Sequence, residues 1–394
     1  MKLEKEKNKK SLLKSKPKKN DKKKRSISNK AKEKSIIDVM NGKTCFAFDF
    51  GDFATKIVMA KFSSKGKIEI KDVFVVENDD RSVKIEESNI KEWHNKLSKV
   101  INQNSLSTFG QYAVCTMSSR YYISRDLEVP YADEKDMLGL VSYEMCQSLS
   151  LDKDSYYFQY KVKSIEEKNG GKVCKVWVAA LQKTICDAYY ELLNSLHLNP
   201  LVMDINVDGL ERLFVSEKTL SQIANNNVIA TIDFGMHGTE INVFENGKYI
   251  QGSNNNIGDG KFVSAAKNVL GVQISDVHNG NKIIVDPRII FGITAHKEVA
   301  NSKIFISILE EWLTEIAKSI KRYNISFPTA KISKIVMYGG SPQLVWLKQY
   351  LEKFIGIEVI LVNSFECENI VISKDAKEIN YSQFLNVLSL LLIK

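Results

Sequence analysis

The sequence predicts an α/β protein made of two duplicated lobes. A small α+β subdomain is predicted to be inserted into the first lobe, and a basic tail precedes it. A strand–turn–strand pattern occurs twice, with its Asp-Phe-Gly triplets 184 residues apart. The segment between the two copies is predicted to form strands and helices in an order that differs from that of the hairpins. The first 40 residues carry sixteen Lys or Arg and no aromatic residue. These three observations define the predicted organisation.

The N-terminal tail, residues 1–41, is predicted to be disordered because it lacks the apolar residues that a core requires. Residues 1–40 carry a net charge of +11 and the whole chain +9, which leaves −2 for the remainder. A nearly neutral folded part gives no electrostatic case for a specific nucleic-acid partner. Three roles stay open for the tail: a solubilising extension, attraction to an anionic membrane surface, or non-specific nucleic-acid contact.

Length and cysteine usage narrow the class of protein. A chain of 394 residues is long enough for two or more domains. Its six cysteines show neither a CxxC pair nor zinc-ligand spacing, and no signal peptide is evident, which favours a reducing, cytoplasmic compartment. No apolar run approaches the roughly 20 residues that a membrane-spanning helix needs.

The first hairpin lies at residues 44–59. An apolar strand ends at Asp49, Gly51 opens the turn, and the return strand includes Ile57 and Met59. A glycine turn lets backbone N–H groups approach a ligand. A carboxylate at the end of the strand is well placed for a hydrated metal ion bound to phosphate.

The second hairpin, residues 228–243, repeats this construction with Asp233, Gly235 and Gly238. Taken alone, it is equally compatible with an ordinary turn whose aspartate faces solvent. The duplication favours the functional interpretation, because one hairpin from each lobe can then face a shared cleft.

The remaining segments complete the predicted domain plan. Residues 110–197 read as strand, strand, helix, strand, strand and helix, the pattern of a small α+β module. A helix with its apolar stripe is predicted at 304–323, and a strand at 332–337 runs into a glycine turn. The last helix, 381–392, is strongly apolar and is predicted to be core, with a membrane-binding amphipathic helix as the alternative. The predicted boundaries are 1–41, tail; 42–109 and 198–225, first core subdomain; 110–197, insertion; 226–365, second lobe; 366–394, closing segment of the first subdomain.

Four glycine-bearing turns follow one another along the chain, at Asp49–Gly51, Asp233–Gly235, Gly258–Gly260 and Gly339–Gly340. Their order is that of the actin-like ATPase superfamily, and the chain resembles that superfamily. No Walker P-loop or Rossmann GxGxxG is present. Within the superfamily the chain resembles the PilM family of type IV pilus assembly proteins over residues 44–394. The resemblance rests on a D-x-G-x4-K pattern, on R-D-L-E-V-P before the helix of the insertion, and on a later helix with spaced polar residues. These residues are Asp49–Lys56, Arg125–Pro130, Glu144, Glu315, Lys318, Ser319 and Tyr323.

The resemblance implies that the cleft binds ATP with Mg²⁺. Asp49 and Asp233 would orient the magnesium-bound water, Lys56 would lie near the phosphates, and the last glycine turn would bracket the adenine. The nucleotide-binding residues implied are Asp49, Gly51, Asp52, Phe53, Lys56, Asp233, Gly235, Met236, His237, Gly238, Thr239, Gly258, Asp259, Lys282, Glu315, Lys318, Gly339, Gly340 and Ser341.

The chain departs from the family pattern at several of these positions. Asp259 replaces the second glycine after hairpin two, where a carboxylate would repel phosphate unless it turned away or paired with magnesium. Val263 stands at a family threonine, and Ser341 at a family glycine. No residue is an obvious general base, so we expect nucleotide binding with slow or absent hydrolysis.

The resemblance also implies partners and a location. The expected partner is the cytoplasmic N-terminal peptide of a PilN-like single-pass membrane protein, docked between the first core subdomain and the insertion, together with other proteins of the pilus platform. The protein would then lie peripherally at the inner face of the cell membrane. Two alternatives use the same fold: an FtsA-like membrane-associated division anchor, and a small-molecule kinase.

Overall fold

The computed structural model describes residues 36–63, 66–78, 84–168, 170–261, 264, 298–340 and 345–393. Most of the predicted tail, Val263, Lys282 and Ser341 therefore lie outside the described residues. The strands, in chain order, are β1 (Thr44–Phe50), β2 (Ala54–Phe62), β3 (Ile68–Glu77), β4 (Gln111–Met117), β5 (Tyr122–Pro130), β6 (Tyr156–Lys168), β7 (Gly171–Gln182), β8 (Leu198–Ile205), β9 (Val228–Phe234), β10 (Thr239–Glu245), β11 (Lys248–Asn255), β12 (Lys334–Gly339), β13 (Glu358–Leu361) and β14 (Ile370–Ile372).

The helices cover these strands and bury their apolar faces. Helices α4 and α5 begin directly after β7 and β8. The described helices are α1 (Ile36–Met40), α2 (Ile90–Gln103), α3 (Glu134–Leu149), α4 (Lys183–Ser195), α5 (Asn206–Ser216), α6 (Lys218–Ala224), α7 (Glu298–Ser326), α8 (Val345–Ile355) and α9 (Tyr381–Ser389).

The first lobe is built on a six-stranded sheet with the order β14-β3-β2-β1-β4-β8. β1 and β2 form the predicted antiparallel hairpin, and β4 lies parallel to β1 on its other side. Strand β1 is buried along almost its whole length because helices pack on both faces of the sheet. This double cover explains why its sequence is apolar on both faces.

The second lobe repeats the arrangement in a five-stranded sheet with the order β11-β10-β9-β12-β13. β9 and β10 form the second antiparallel hairpin, and β12 lies parallel to β9, as β4 does to β1. The duplication predicted from the two Asp-Phe-Gly triplets is confirmed. On α7, the predicted apolar stripe is buried at Trp312, Ile316 and Ile320.

A separate three-stranded antiparallel sheet, β5-β7-β6, carries α3 on one face. It follows β4 and precedes α4, so it is inserted into the first lobe as predicted. The predicted range 110–197 is wider than this module. Strand β4 pairs with β1 in the six-stranded sheet, and α4 packs its buried face into the core of the first lobe. The sequence pattern did not distinguish β4 and α4 from the insertion, because the residues of a strand do not indicate which sheet the strand joins.

The C-terminal helix α9 is a core element. Phe384, Leu385, Val387 and Leu388 are almost completely buried, in the same cluster as residues of α5 and β2. This burial agrees with the predicted core role and leaves no apolar face of α9 for a membrane.

Candidate functional site

The turns of the two hairpins meet at one cavity. Its wall is completed by the segment after β4, the end of β11 and one side of α9. The lining residues are Asp49, Gly51, Asp52, Phe53, Ala54, Lys56, Val75, Glu77, Ser118, Ser119, Arg120, Asn206, Asp233, Phe234, Gly235, Met236, Gly238, Thr239, Glu240, Asn254, Asn255, Asp259, Gly340, Gln383 and Asn386. The shared cleft predicted from the duplication is therefore present in the structure.

Hairpin one contributes a carboxylate and a lysine that compensate each other. Asp49 and Lys56 face each other across β1 and β2, with Lys56 Nζ 3.2 Å from Asp49 Oδ2. Burial by itself lowers the pKa of Lys56, but the nearby Asp49 and Asp233 carboxylates outweigh it, so the net shift is upward. Lys56 is therefore held in its charged form at the centre of the cavity.

Hairpin two contributes a carboxylate without such a partner. Asp233 accepts a hydrogen bond from Asn386 Nδ2 at 2.9 Å, and Glu240 faces it across β9 and β10. Burial, followed by the neighbouring Glu240, raises the pKa of Asp233 to about 7, although Lys56 and Asn386 act in the opposite direction. This carboxylate is placed where a cation would be bound favourably.

Glu240 is itself buried and fully engaged. Its carboxylate accepts a hydrogen bond from Asn242 Nδ2 at 2.7 Å and is also hydrogen-bonded to Ser119 and Asn206. Burial raises the pKa of Glu240, and these hydrogen bonds partly offset the rise. Because its oxygens are committed to protein donors, Glu240 is poorly placed to activate a water molecule.

Backbone hydrogen bonds fix the second turn. Gly235 N–H donates to Gly238 O, Asp259 N–H to Gly235 O and Gly260 N–H to Met236 O, at 2.9–3.1 Å. These three amides donate hydrogen bonds within the protein and are not available to phosphate. Fewer backbone N–H groups of the glycine turns can therefore contact phosphate than the sequence predicted. A Cβ at Gly258 would lie only 2.3–2.6 Å from backbone atoms of the turn, so Gly258 is required for this packing.

The glycine turn after β12 packs directly beneath hairpin two. Gly339 has φ of +104°, and a Cβ there would lie 2.4 Å from Asp233 Oδ1. Gly340 lines the cavity, and its N–H donates to Phe234 O at 3.2 Å. The turn that the resemblance assigns to adenine therefore also supports the Asp233 carboxylate.

The structure brings together twelve of the residues predicted for the site. His237 is exposed, and neither His237 nor Gly258 nor Gly339 is in the lining. Glu315 and Lys318 form an ion pair of 2.6 Å outside the described lining. Lys282 and Ser341 lie outside the described residues. The twelve are Asp49, Gly51, Asp52, Phe53, Lys56, Asp233, Gly235, Met236, Gly238, Thr239, Asp259 and Gly340.

Sequence reasoning missed several polar residues of the cavity, among them Arg120, Asn206, Glu240 and Asn386. Two of them carried a usable signal. Glu240 lies in a return strand whose Ile241, Val243 and Phe244 are apolar, and Asn386 interrupts the strongly apolar last helix. A polar residue in such a setting marks a buried partner. Arg120 and Asn206 carried no such signal, because their positions depend on how distant segments pack.

The lining suits the phosphates of a nucleotide together with a divalent cation. Mg²⁺ is typically held by one or two carboxylates plus substrate phosphates and water, rather than by a cage of protein ligands. Among the described residues no three His, Cys, Asp or Glu side chains are grouped closely enough to hold a metal ion by themselves. Asn386 Oδ1 is buried beside Asp233 and has no hydrogen-bond partner in the described part of the chain, so it offers a further acceptor.

No helix among the described residues is both long and apolar enough to cross a membrane.

Each of the two large sheets contains one of the matching hairpins, and both hairpins line one cavity. This arrangement defines the protein as a member of the actin-like ATPase fold class. A family model described as type IV pilus assembly protein PilM matches residues 47–389. The chain therefore belongs to the PilM family of type IV pilus assembly proteins.

The solved structures to which the chain is similar have low sequence identity to it. A structure described as the PilM-PilN type IV pilus biogenesis complex superposes with a TM-score of 0.70 and 16% identity, covering 88% of this chain and 97% of that chain. A protein from Bacteroides thetaiotaomicron with an actin-like ATPase fold and unknown function gives a TM-score of 0.45 and 11% identity, covering 90% and 97%. No curated protein matches the chain in sequence.

Proposed function

We propose that this protein is a nucleotide-binding scaffold of the type IV pilus assembly platform, and that the cavity between its hairpins binds ATP with Mg²⁺. The observation that carries the proposal is the convergence of Asp49, Lys56 and Asp233 from two separate lobes on one cavity. Family membership supports the role in pilus assembly, and the carboxylates together with Lys56 in the described lining support the ligand.

Each side chain has a defined task in this proposal. Asp49 and Asp233 hold the hydrated cation, and Lys56, oriented by Asp49, neutralises phosphate charge. The cation supplies charge neutralisation of the phosphates when it is bound. Glu240 keeps Asn206 and Ser119 in the wall but has no free acceptor to serve as a base. We expect slow or absent hydrolysis, because the oxygens of Glu240 accept hydrogen bonds from the protein and Asp233 would be engaged with the cation.

Isothermal titration with Mg²⁺-ATP tests the nucleotide site. We expect saturable binding by the natural chain and loss of that binding in Asp233→Ala. His237→Ala is the matched control, since His237 lies in the same turn but is exposed and does not line the cavity. Absence of heat and of any thermal shift with the natural chain would refute the proposal.

We further propose that the chain binds the cytoplasmic peptide of a PilN-like single-pass membrane protein. The PilM structure similar to this one was solved as a PilM-PilN complex. In this chain a groove runs between the insertion and the first lobe, lined by Tyr157, Tyr190 and β8 residues 200–203. β8 is the edge strand of its sheet, and both tyrosine side chains are about half exposed. An exposed edge flanked by aromatic residues suits an extended apolar peptide.

A binding assay with that peptide tests the groove. Tyr190→Ala removes a side chain that is 55% exposed in the groove, and Tyr143→Ala removes one that is 54% exposed on α3, outside it. We expect Tyr190→Ala to weaken binding by about tenfold, in the range of an aromatic anchor, and Tyr143→Ala to have little effect. Equal effects of the two substitutions would place the peptide elsewhere.

The remaining partners follow from the same role. A PilN-like anchor would hold the protein at the inner face of the membrane, beside other platform proteins, and the basic tail would add attraction to anionic lipid. Flotation with anionic vesicles, comparing the full chain with a chain lacking residues 1–35, tests the contribution of the tail. Unchanged flotation would leave membrane association to protein partners alone.

A further inference from the structure

We propose that Arg120 contacts the terminal phosphate of the bound nucleotide and so lets this chain distinguish a nucleoside triphosphate from a diphosphate. The inference rests on the proposed nucleotide site and goes beyond it by assigning a residue that determines specificity. Arg120 belongs to neither hairpin. It lies in the short 3-10 turn Ser119–Tyr121, between β4 of the first lobe and β5 of the insertion.

The position of Arg120 is the first argument. Its Nη1 donates to Asp52 Oδ2 in the turn of hairpin one at 2.7 Å. Its Cδ lies 3.9 Å from the position that a Cβ on Gly238, in the turn of hairpin two, would occupy. Arg120 therefore lies between the two turns, next to the position that a phosphate held by both hairpins would take.

Charge is the second argument. In the described lining, the basic side chains are Lys56 and Arg120, whereas the acidic ones include Asp49, Asp52, Asp233 and Glu240. Lys56 is paired with Asp49 deep in the cavity. The charge added by a third phosphate therefore needs a second cationic contact, and a guanidinium is suited to bidentate phosphate binding.

Mobility is the third argument. Arg120 is 37% exposed while its partner Asp52 is only 8% exposed, so the arginine is the solvent-facing member of the pair. Asn78 Nδ2 donates to Gly51 O at 2.8 Å, which ties down the turn that bears Asp52. A side chain paired at a fixed carboxylate can turn toward phosphate while it keeps one hydrogen bond, since a guanidinium has five N–H donors.

The connection to the insertion gives the contact a consequence. Arg120 lies two residues before β5, and the neighbouring Ser119 is hydrogen-bonded to Glu240 of hairpin two. The segment that leads into the insertion is thus hydrogen-bonded to both hairpins, to the turn of hairpin one and to β10 of hairpin two. A contact made only by a triphosphate would bias how the insertion sits on the first lobe.

Paired titrations of Mg²⁺-ATP and Mg²⁺-ADP test the proposal. We expect Arg120→Ala to weaken ATP binding by about tenfold, as for loss of a charge-assisted hydrogen bond, and ADP binding by less than about twofold. Arg120→Lys should recover part of the preference because it keeps the charge, whereas Arg120→Gln should not. The matched control is Arg125→Ala, which removes an exposed arginine of β5 outside the cavity.

Two further measurements keep the result decisive. Asp52→Asn combined with Arg120→Ala removes the carboxylate that the single substitution would leave unpaired, and it should show the same loss of ATP preference. An equal loss for both nucleotides, or no loss, would overturn the role of Arg120 while the natural chain still binds nucleotide. If the natural chain binds neither nucleotide, the proposed site fails and this inference fails with it.

Discussion

The two hairpins have the same backbone and opposite electrostatics. In hairpin one Asp49 pairs in register with Lys56, and in hairpin two Asp233 pairs in register with Glu240. The same position in the duplicated unit therefore holds a cation in one copy and a carboxylate in the other. Hairpin one is compensated within the protein, whereas in hairpin two burial, followed by the neighbouring Glu240 carboxylate, raises the pKa of Asp233 to about 7.

This difference indicates how the two copies divide the work. A compensated hairpin holds its shape without a ligand, because its charges satisfy each other. A hairpin in which two carboxylates face each other is destabilised until a cation binds, which is a common arrangement at binding sites. We infer that hairpin one is a fixed platform and that hairpin two responds to the cation. Four predictions test this contrast, from the largest expected effect to the smallest.

Lys56→Ala should cause the largest loss of stability. Removing one member of a buried ion pair leaves Asp49 buried without its partner, which costs about 3–5 kcal/mol in comparable cases. Urea unfolding at pH 7 measures the change. Lys61→Ala, an exposed lysine on the same strand, is the control and should change little.

The double variant Lys56→Met with Asp49→Asn sharpens this result. It removes both charges together, so most of the lost stability should return. If the single and double variants were equally unstable, the loss would come from packing, and hairpin one would not depend on charge compensation.

Asp233→Asn should raise stability at neutral and higher pH, in contrast to Asp49→Asn, which should lower it. The pKa of Asp233 lies near 7 in the folded chain, above the ordinary value of 3.8. The folded state therefore holds a proton that the unfolded state has lost between about pH 4 and 7, and stability falls as the pH rises through that window. The gain from the substitution should grow across the window toward an upper limit of about 4 kcal/mol.

Unfolding curves recorded with EDTA from pH 4 to 8 check this expectation, since chelation removes any bound cation. Near pH 4 the natural chain and Asp233→Asn should have similar stability. A constant difference across the pH range would contradict the unfavourable charge at hairpin two. The substitution should also weaken Mg²⁺-ATP binding, which would show that function and stability conflict at this residue.

Gly339→Ala should destabilise hairpin two from beneath. The substitution places a Cβ against Asp233 Oδ1 and the Phe234 backbone, at a φ of +104° that side chains rarely adopt. We expect a loss of about 2–3 kcal/mol, at the upper end for a strained backbone position. Gly340→Ala is the neighbouring control, because the nearest atom to its added Cβ lies 3.9 Å away. Thermal unfolding of the two variants measures the difference, and equal losses would contradict the close packing under Asp233.

The sequence predicted the two hairpins and their shared cleft but not which residue faces each aspartate. Repeated Asp-Phe-Gly triplets, glycine turns and apolar strands carried enough local information to place both hairpins and the shared cleft. The partner of each aspartate was harder to predict, because it depends on strand register and on distant segments. Asn386 lies 153 residues from Asp233, and nothing near either residue indicates their contact. The position of β4 was missed for the same reason.

Asn386→Ala should give the smallest effect and test what replaces Lys56 in hairpin two. Among the described residues, the hydrogen bond that stabilises the charged Asp233 carboxylate comes from a neutral amide, Asn386 Nδ2. Its removal should raise the pKa of Asp233 further and cost about 1 kcal/mol above pH 7. At pH 5, where Asp233 is already protonated, the cost should be smaller. Ser382→Ala is the control on the same helix, since the buried Ser382 hydroxyl has no hydrogen-bond partner among the described residues. Unfolding measured at pH 5 and pH 8 separates the two residues, because a pH-dependent loss at Asn386 requires a charged Asp233, whereas a loss from packing would be the same at both values.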